Sequence, residues 1–243
     1  MTDKKKIALV TGANKGIGLE IARQLAETGV VVLIGARNLE RGQDAARELS
    51  DEGLPVESIH IDLNEEASIA SAADAISSRY GQLDILVNNA GIVDSEDGPP
   101  TGASMAAVRR VMDTNFFGTL AVTQAMLPLL RRSKTGRIVN LSTTLGSLSI
   151  NGDPTSPYYE ARLLGYNASK AALNMLTVQL AAELRDTPMA VNAVAPGYVR
   201  TGLTGGNGFM TAAEGARLPV QYALLEDDAV SGRFVEPQGA VPW

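Results

Sequence analysis

Thr11-Gly12-Ala13-Asn14-Lys15-Gly16-Ile17-Gly18 stands between a short apolar run, Ile7–Val10, and a stretch of helical spacing, Ile17–Thr28. A strand that ends in three glycines and passes straight into a helix has a specific use. The glycines permit a tight turn and let the backbone approach a pyrophosphate. Free N–H groups and the dipole at the helix N-terminus favour an anion there. The spacing is Gly-x-x-x-Gly-x-Gly, not Gly-x-Gly-x-x-Gly, and alone it also describes an ordinary strand–helix connection. Its place after the first strand of an alternating series points to a dinucleotide site.

That series runs along most of the 243 residues. Ile7–Val10, Val30–Ile34, Val56–Ile61, Leu83–Val87, Arg137–Leu141 and Met189–Ala195 are brief and apolar, as strands buried on both faces of a parallel sheet must be. Ile17–Thr28, Leu39–Glu52, Glu65–Tyr80, Met105–Leu130 and Tyr166–Leu184 have helical spacing. Gly29 and Gly81 stand as stops after two of these helices, and Asn64 as a cap before Glu65. The alternation predicts right-handed βαβ units in a single α/β domain, a Rossmann-type doubly wound parallel sheet with helices on both faces. Three segments break the rhythm: 94–102, 147–165 and 197–218. They read as loops around a ligand, the last of them mobile and without a strand pattern.

Composition removes whole classes of function. Lys and Arg total 21 against 27 Asp and Glu, a net charge of −6, so nucleic acid and anionic membrane are poor partners. The basic cluster Lys4, Lys5 and Lys6 reads as a solvated leader. With no Cys and one His, disulfides, thiolate nucleophiles, Cys-held metals and multi-histidine sites are excluded. His60 lies in an apolar run and reads as structural. No run approaches the roughly 20 apolar residues of a membrane span, and the N-terminus lacks a signal-type apolar region. The expectation is a soluble protein of the cytoplasm.

The end of the second strand selects between dinucleotides. A carboxylate there would hydrogen-bond a ribose 2′-hydroxyl, but the chain has Gly35-Ala36-Arg37. Arg37 and Lys15 could together embrace a 2′-phosphate, which favours NADP over NAD.

If the dinucleotide serves as a hydride donor to a carbonyl group, the alkoxide formed needs a proton donor and hydrogen bonds aimed at its oxygen. Without Cys and with one doubtful His, a tyrosine is the most suitable acid. Tyr166 and Lys170 are four apart, on one helical face, and a neighbouring ammonium favours tyrosinate. Tyr158 and Tyr159 have no lysine four residues on.

Seven motifs now stand in one order: Thr11–Gly18, Asp62, Asn88-Asn89-Ala90-Gly91, Asn115, Ser142-Thr143, Tyr166-Asn167-Ala168-Ser169-Lys170, and Pro196-Gly197 with Thr201. In this they resemble the short-chain dehydrogenase/reductase family over nearly the whole chain. Asn14–Gly18, Ala36-Arg37, Thr114–Gly118, Pro196–Thr201 and Trp243 are most similar to its NADPH-dependent carbonyl reductases. The resemblance implies an NADP(H)-dependent oxidoreductase acting on a small carbonyl or alcohol substrate. It implies that Lys170 also bonds the nicotinamide ribose and that Asn115 supports a proton relay. Asp62 would bond the adenine amino group. Gly12, Asn14, Gly16, Ile17, Gly18, Leu63, Asn89, Ala90, Gly91, Pro196, Gly197, Val199 and Thr201 would line the nucleotide.

The family's serine is usually the second of a Ser-Ser pair, three before a glycine. Counting back from Gly146 gives Thr143, with Ser142 before it. Threonine keeps the hydroxyl, so either residue can bond the substrate, with Thr143 preferred. A dinucleotide-binding sensor or scaffold without catalysis is the alternative, although such proteins usually lose the Tyr or the Lys; a Rossmann-type methyltransferase would not need this pair. Relatives often pair through two long helices, but the carbonyl reductases carry an insertion before the tyrosine helix that covers this face. The span from Thr143 to Tyr166 is long and solvated, so a monomer is expected over a homodimer.

Overall fold

Alternation along β1 (Ile7–Thr11) decides the layering. Ala8 and Val10 join one buried cluster, and Ile7 and Leu9 join the other, on the opposite face of the sheet. A strand with both faces buried can sit only in the middle of a sheet between two helical layers. This computed structural model describes residues 5–226 and 229–243. Lys4 of the basic leader lies outside the described residues.

The further strands are β2 (Val31–Ala36), β3 (Val56–His60), β4 (Ile85–Asn88), β5 (Arg137–Leu141), β6 (Ala190–Val194), β7 (Phe234–Glu236) and β8 (Gly239–Ala240). Among the described residues they form one sheet in the order β3-β2-β1-β4-β5-β6-β7-β8. All pairings are parallel except β7 with β8. The order reverses between β1 and β4, the point where open α/β sheets bind ligands.

Helices α1 (Gly16–Glu27) and α2 (Leu39–Asp51) bury Ile21, Leu25 and Leu49 against one face, joined by α8 (Ala212–Ala223) through Ala216 and Val220. The other face is covered by α3 (Glu66–Tyr80), α5 (Thr119–Leu130) and α7 (Leu164–Glu183), through Ile69, Ile76, Met126, Leu130 and Leu180. Truncating a side chain such as Ile21 or Met126 to Ala would cost about 2–5 kcal/mol.

Several expectations need correction. β3 is a sheet edge, so it is only half-buried and its last residue, His60, is exposed. His60 nonetheless has a structural partner: its Nε2 lies 3.0 Å from the Arg37 carbonyl oxygen. Asn64 does not cap α3, whose N-cap is Glu65 without a side-chain bond. The stretch Met105–Leu130 is not one helix. A π-turn at Asp113–Gly118 separates α4 (Met105–Met112) from α5. The segment 197–218 is less open than its glycines imply, because α8 begins inside it with a capping box between Thr211 and Glu214. The segment 147–165 contains the short α6 (Leu148–Gly152). Gly29 and Gly81 end their helices with positive φ, as the stop pattern requires.

Candidate active site

The carboxyl ends of β1 to β6 bring the motif residues to one edge of the sheet. At the end of β1, Gly12 has φ +64°, and a Cβ there would stand 2.9 Å from the Ala90 Cα. A Cβ on Gly18 would meet the Asn89 amide nitrogen and the Gly12 carbonyl. Both glycines therefore let the turn lie directly on the end of β4. Asn89 braces it: its Nδ2 donates to the Thr11 oxygen at 2.8 Å and to the Gly12 oxygen at 3.2 Å. The Thr11 hydroxyl accepts from the backbone N–H groups of Asn89 and Ala90, each at 3.1 Å.

At the N-terminus of α1, the N-cap Lys15 makes no side-chain capping bond and the first turn carries no acidic residue. That end is built to face an anion rather than a side chain. Thr201 approaches it, since a Cβ on Gly16 would lie 3.6 Å from the Thr201 methyl. Val199 is buried against Gly215 of α8 and pairs with Met210.

Two cavities open among these elements, the second of them on the turn. One of about 480 Å³ is lined by residues that include Arg37, Leu63, Asn64, Ile92, Thr114 and Gly118. Another of about 340 Å³ is lined by Asn14, Lys15, Arg41, Asp44, Ala45 and Glu48. Arg37 lines the first of these cavities and Lys15 the second. Arg41, which the sequence reading did not single out, lines the same cavity as Lys15. It stands four residues after Arg37, in the first turn of α2, where Asn38 Oδ1 accepts its backbone N–H at 2.8 Å. Asp62 turns its carboxylate to the backbone N–H of Asn64 at 3.0 Å. Leu63 packs so tightly on Gly118 that a Cβ on the glycine would stand 2.7 Å from the Leu63 Cβ.

The reactive side chains gather under α7. Tyr166 is partly buried and Lys170 almost fully so, with Lys170 Nζ 5.9 Å from the centre of the Tyr166 ring. Lys170 Nζ donates to the Leu141 carbonyl at 2.7 Å. Asn115, in the π-turn, accepts from the Ile92 N–H at 2.8 Å and donates to the Ile92 oxygen at 2.9 Å and to Ser169 Oγ at 3.0 Å. Gly91 lies where the two groups meet: a Cβ there would be 3.4 Å from Asn115 Oδ1 and 3.5 Å from Lys170 Nζ. Lys170 was expected to draw the Tyr166 hydroxyl down. Burial acts the other way and raises it to about 12, while the same desolvation lowers the Lys170 ammonium to about 8.

Ser142 and Thr143 are not equivalent. The Ser142 hydroxyl is buried and bonded to Asn174, whereas Thr143 is half-buried and its Oγ1 accepts only a weak 3.3 Å contact from the Leu145 N–H. Beyond them, Pro196-Gly197 starts a loop whose Tyr198 and Phe209 rings meet edge to face at 5.6 Å, with Phe209 86% exposed. Among the described residues no helix is long and apolar enough to cross a membrane.

A model of the short chain dehydrogenase family matches residues 6–208. Short-chain dehydrogenase anuI of Penicillium roqueforti is 41% identical, with 98% of this chain and 96% of that protein aligned. Carbonyl reductase [NADPH] 1 of Mus musculus is 34% identical, with all of both chains covered. The crystal structure of NADPH-bound carbonyl reductase from chicken fatty liver superposes with a TM-score of 0.86, at 27% identity, covering 99% of this chain and 100% of that one. The glycine turn, the ordered strand-end motifs and these likenesses agree: the chain belongs to the short-chain dehydrogenase family.

Proposed function

We propose that the protein is an NADPH-dependent reductase of ketones or aldehydes, with Tyr166 as the proton donor. The observation that carries this reading is the meeting of Tyr166 and Lys170 with Asn115 and Gly91 at the carboxyl edge of the sheet. The residues present fit the cofactor. The uncapped N-terminus of α1 and the close-lying Gly12 suit a pyrophosphate. Lys15, Arg37 and Arg41 supply positive charge for a 2′-phosphate, and no carboxylate stands at 35–37 to repel it. Bound there, NADPH supplies the hydride.

The chain's own residues do the rest. Tyr166, kept protonated by burial, gives its proton to the oxygen that becomes the alcohol. Thr143 donates a hydrogen bond to that oxygen, because Ser142 is already committed inside the fold. Lys170 holds the tyrosine's surroundings polar, and Asn115 fixes the backbone at Ile92 beside it. Oxidation of NADPH against a panel of ketones and aldehydes tests the reading. Binding of NADPH without turnover of any of them would mark the chain as a silent dinucleotide binder.

We further favour a monomer, on the length and polarity of residues 143–166. The observation on the other side is that Met175 is 57% exposed on α7 and Val178, one turn on, is also open, so a homodimer paired through this face is the alternative reading. Light scattering decides: a mass near 25.5 kDa agrees, and a dimer that persists on dilution does not.

A further inference from the structure

Helix α7 carries Tyr166 in its first turn, yet it has no cap of its own: Leu163 stands at the N-cap position and offers no side-chain bond. Three successive N–H groups at this end are taken instead by a loop more than sixty residues upstream. Leu164 donates to the Gly98 carbonyl at 3.0 Å. Gly165 donates to one carboxylate oxygen of Asp97 and Tyr166 to the other, both at 2.9 Å. A carboxylate that accepts two backbone N–H groups at a helix N-terminus makes charge-assisted bonds and opposes the positive end of the dipole.

The loop that presents this carboxylate is itself fastened. The Asp97 N–H donates to the Asp94 carbonyl at 3.1 Å, and the Gly98 N–H to Asp97 Oδ1 at 2.9 Å. Arg110, on α4, donates to the Asp94 and Glu96 carboxylates at 2.8 Å each, and its hydrogen bond holds the Asp94 carboxyl below its ordinary range. Gly165 completes the fit. A Cβ on it would stand 3.1 Å from the Val108 Cα and 3.2 and 3.3 Å from the two Asp97 oxygens. Residue 165 is therefore a glycine so that α4, Asp97 and the start of α7 can close on one another.

We propose that Asp97 is a positioning residue for the reaction: it fixes the first turn of α7 and so sets where the Tyr166 hydroxyl stands. The inference rests on Tyr166 being the proton donor. Asp97 touches neither substrate nor cofactor in this role, so its removal should impair the chemical step and spare cofactor binding. A misplacement of about 1 Å at a catalytic group can cost on the order of 100-fold in rate.

The experiment compares Asp97→Ala, Asp97→Asn and Gly165→Ala with the Tyr166→Phe protein, measuring kcat, ketone KM and the dissociation constant of NADPH, with circular dichroism for folding. For Asp97→Ala, kcat should fall roughly tenfold or more while NADPH affinity changes by less than about twofold. Asp97→Asn keeps one acceptor and should recover part of the rate, which also serves if the alanine protein does not fold. Gly165→Ala should lower kcat in the same way by displacing the carboxylate. Wild-type kcat in Asp97→Ala beside an inactive Tyr166→Phe overturns the proposal and leaves the acid assignment standing. So does a rate loss matched by an equal loss of NADPH affinity, or one confined to ketone KM. An active Tyr166→Phe overturns the acid assignment itself, and this inference with it.

Discussion

The Ser142 hydroxyl donates to the Asn174 amide oxygen at 2.6 Å, inside the fold between β5 and α7. That bond occupies Ser142, whereas the hydroxyl of its neighbour Thr143 has only the 3.3 Å contact from the Leu145 N–H. Thr143→Val, which keeps shape and deletes the hydroxyl, should lower kcat about 100-fold with the melting temperature nearly unchanged. Ser142→Ala should retain most of the activity and lose about 1 kcal/mol or more of stability, since a buried amide loses its donor. Steady-state kinetics with urea unfolding of both proteins separates the roles; the reverse pattern would return the catalytic hydroxyl to Ser142.

Cofactor choice should follow charge. The chain should prefer NADPH to NADH in kcat/KM, and Arg37→Asp should move the ratio toward NADH. Arg41→Ala should weaken NADPH by about tenfold and leave NADH unchanged, because one charged hydrogen bond contributes roughly 1.5–3 kcal/mol. Equal losses with both cofactors would place Arg41 outside the phosphate site.

Tyr166→Phe deletes one hydroxyl and keeps the ring. Turnover should drop by roughly 10²- to 10⁴-fold, the range for a general acid. Titration with NADPH should still show binding within about twofold of wild type, since the hydroxyl is not needed to hold the helix. A variant that keeps more than a tenth of kcat would exclude Tyr166 as the essential acid.

Lys170 makes stability depend on pH. Its ammonium falls from the ordinary 10.5 to about 8 through burial, so the folded chain binds that proton less readily than the unfolded one. The cost to folding is full below about pH 8 and fades as pH rises toward 10.5. It amounts to at most about 3 kcal/mol for this shift. Lys170→Met lacks the cost, so its stability relative to wild type should be most favourable at pH 7 and should decline toward pH 10. Tyr166 begins to ionise in the unfolded state near pH 10, but it is present in both proteins and largely cancels. Urea unfolding at pH 7, 8.5 and 10 without cofactor checks this; a stability difference that stays constant across that range would contradict it.

The sheet was legible because a strand buried on both faces has to be apolar throughout, as Ile7–Val10 and Arg137–Leu141 largely are. β7 and β8 escaped because three- and two-residue strands at a sheet edge leave almost no pattern. The π-turn escaped for a different reason: Asp113–Gly118 keeps the composition of the helices on either side, and only its hydrogen-bond register differs. Tyr166 and Lys170 were readable from a four-residue spacing, which a helix turns directly into proximity. Asp97 and Asn174 were not, because their partners lie 69 and 32 residues away in sequence. Arg41 stands four residues beyond Arg37, but a lone arginine on a surface helix gives no reason to choose it.

The π-turn also limits how this chain can change in length. A residue in an α-helix advances about 100° around the axis, so deleting one from 113–118 would restore a regular helix and swing Asn115 away from Ile92 and Ser169. Adding one would do the same in the other direction. Gly205 and Gly206, exposed in the loop after β6, have no helical phase to preserve. Insertions and deletions compatible with activity should therefore be recovered at 205–206 from a random library and be absent from 113–118, which makes that wide turn a fixed ruler between the two ends of the helix pair.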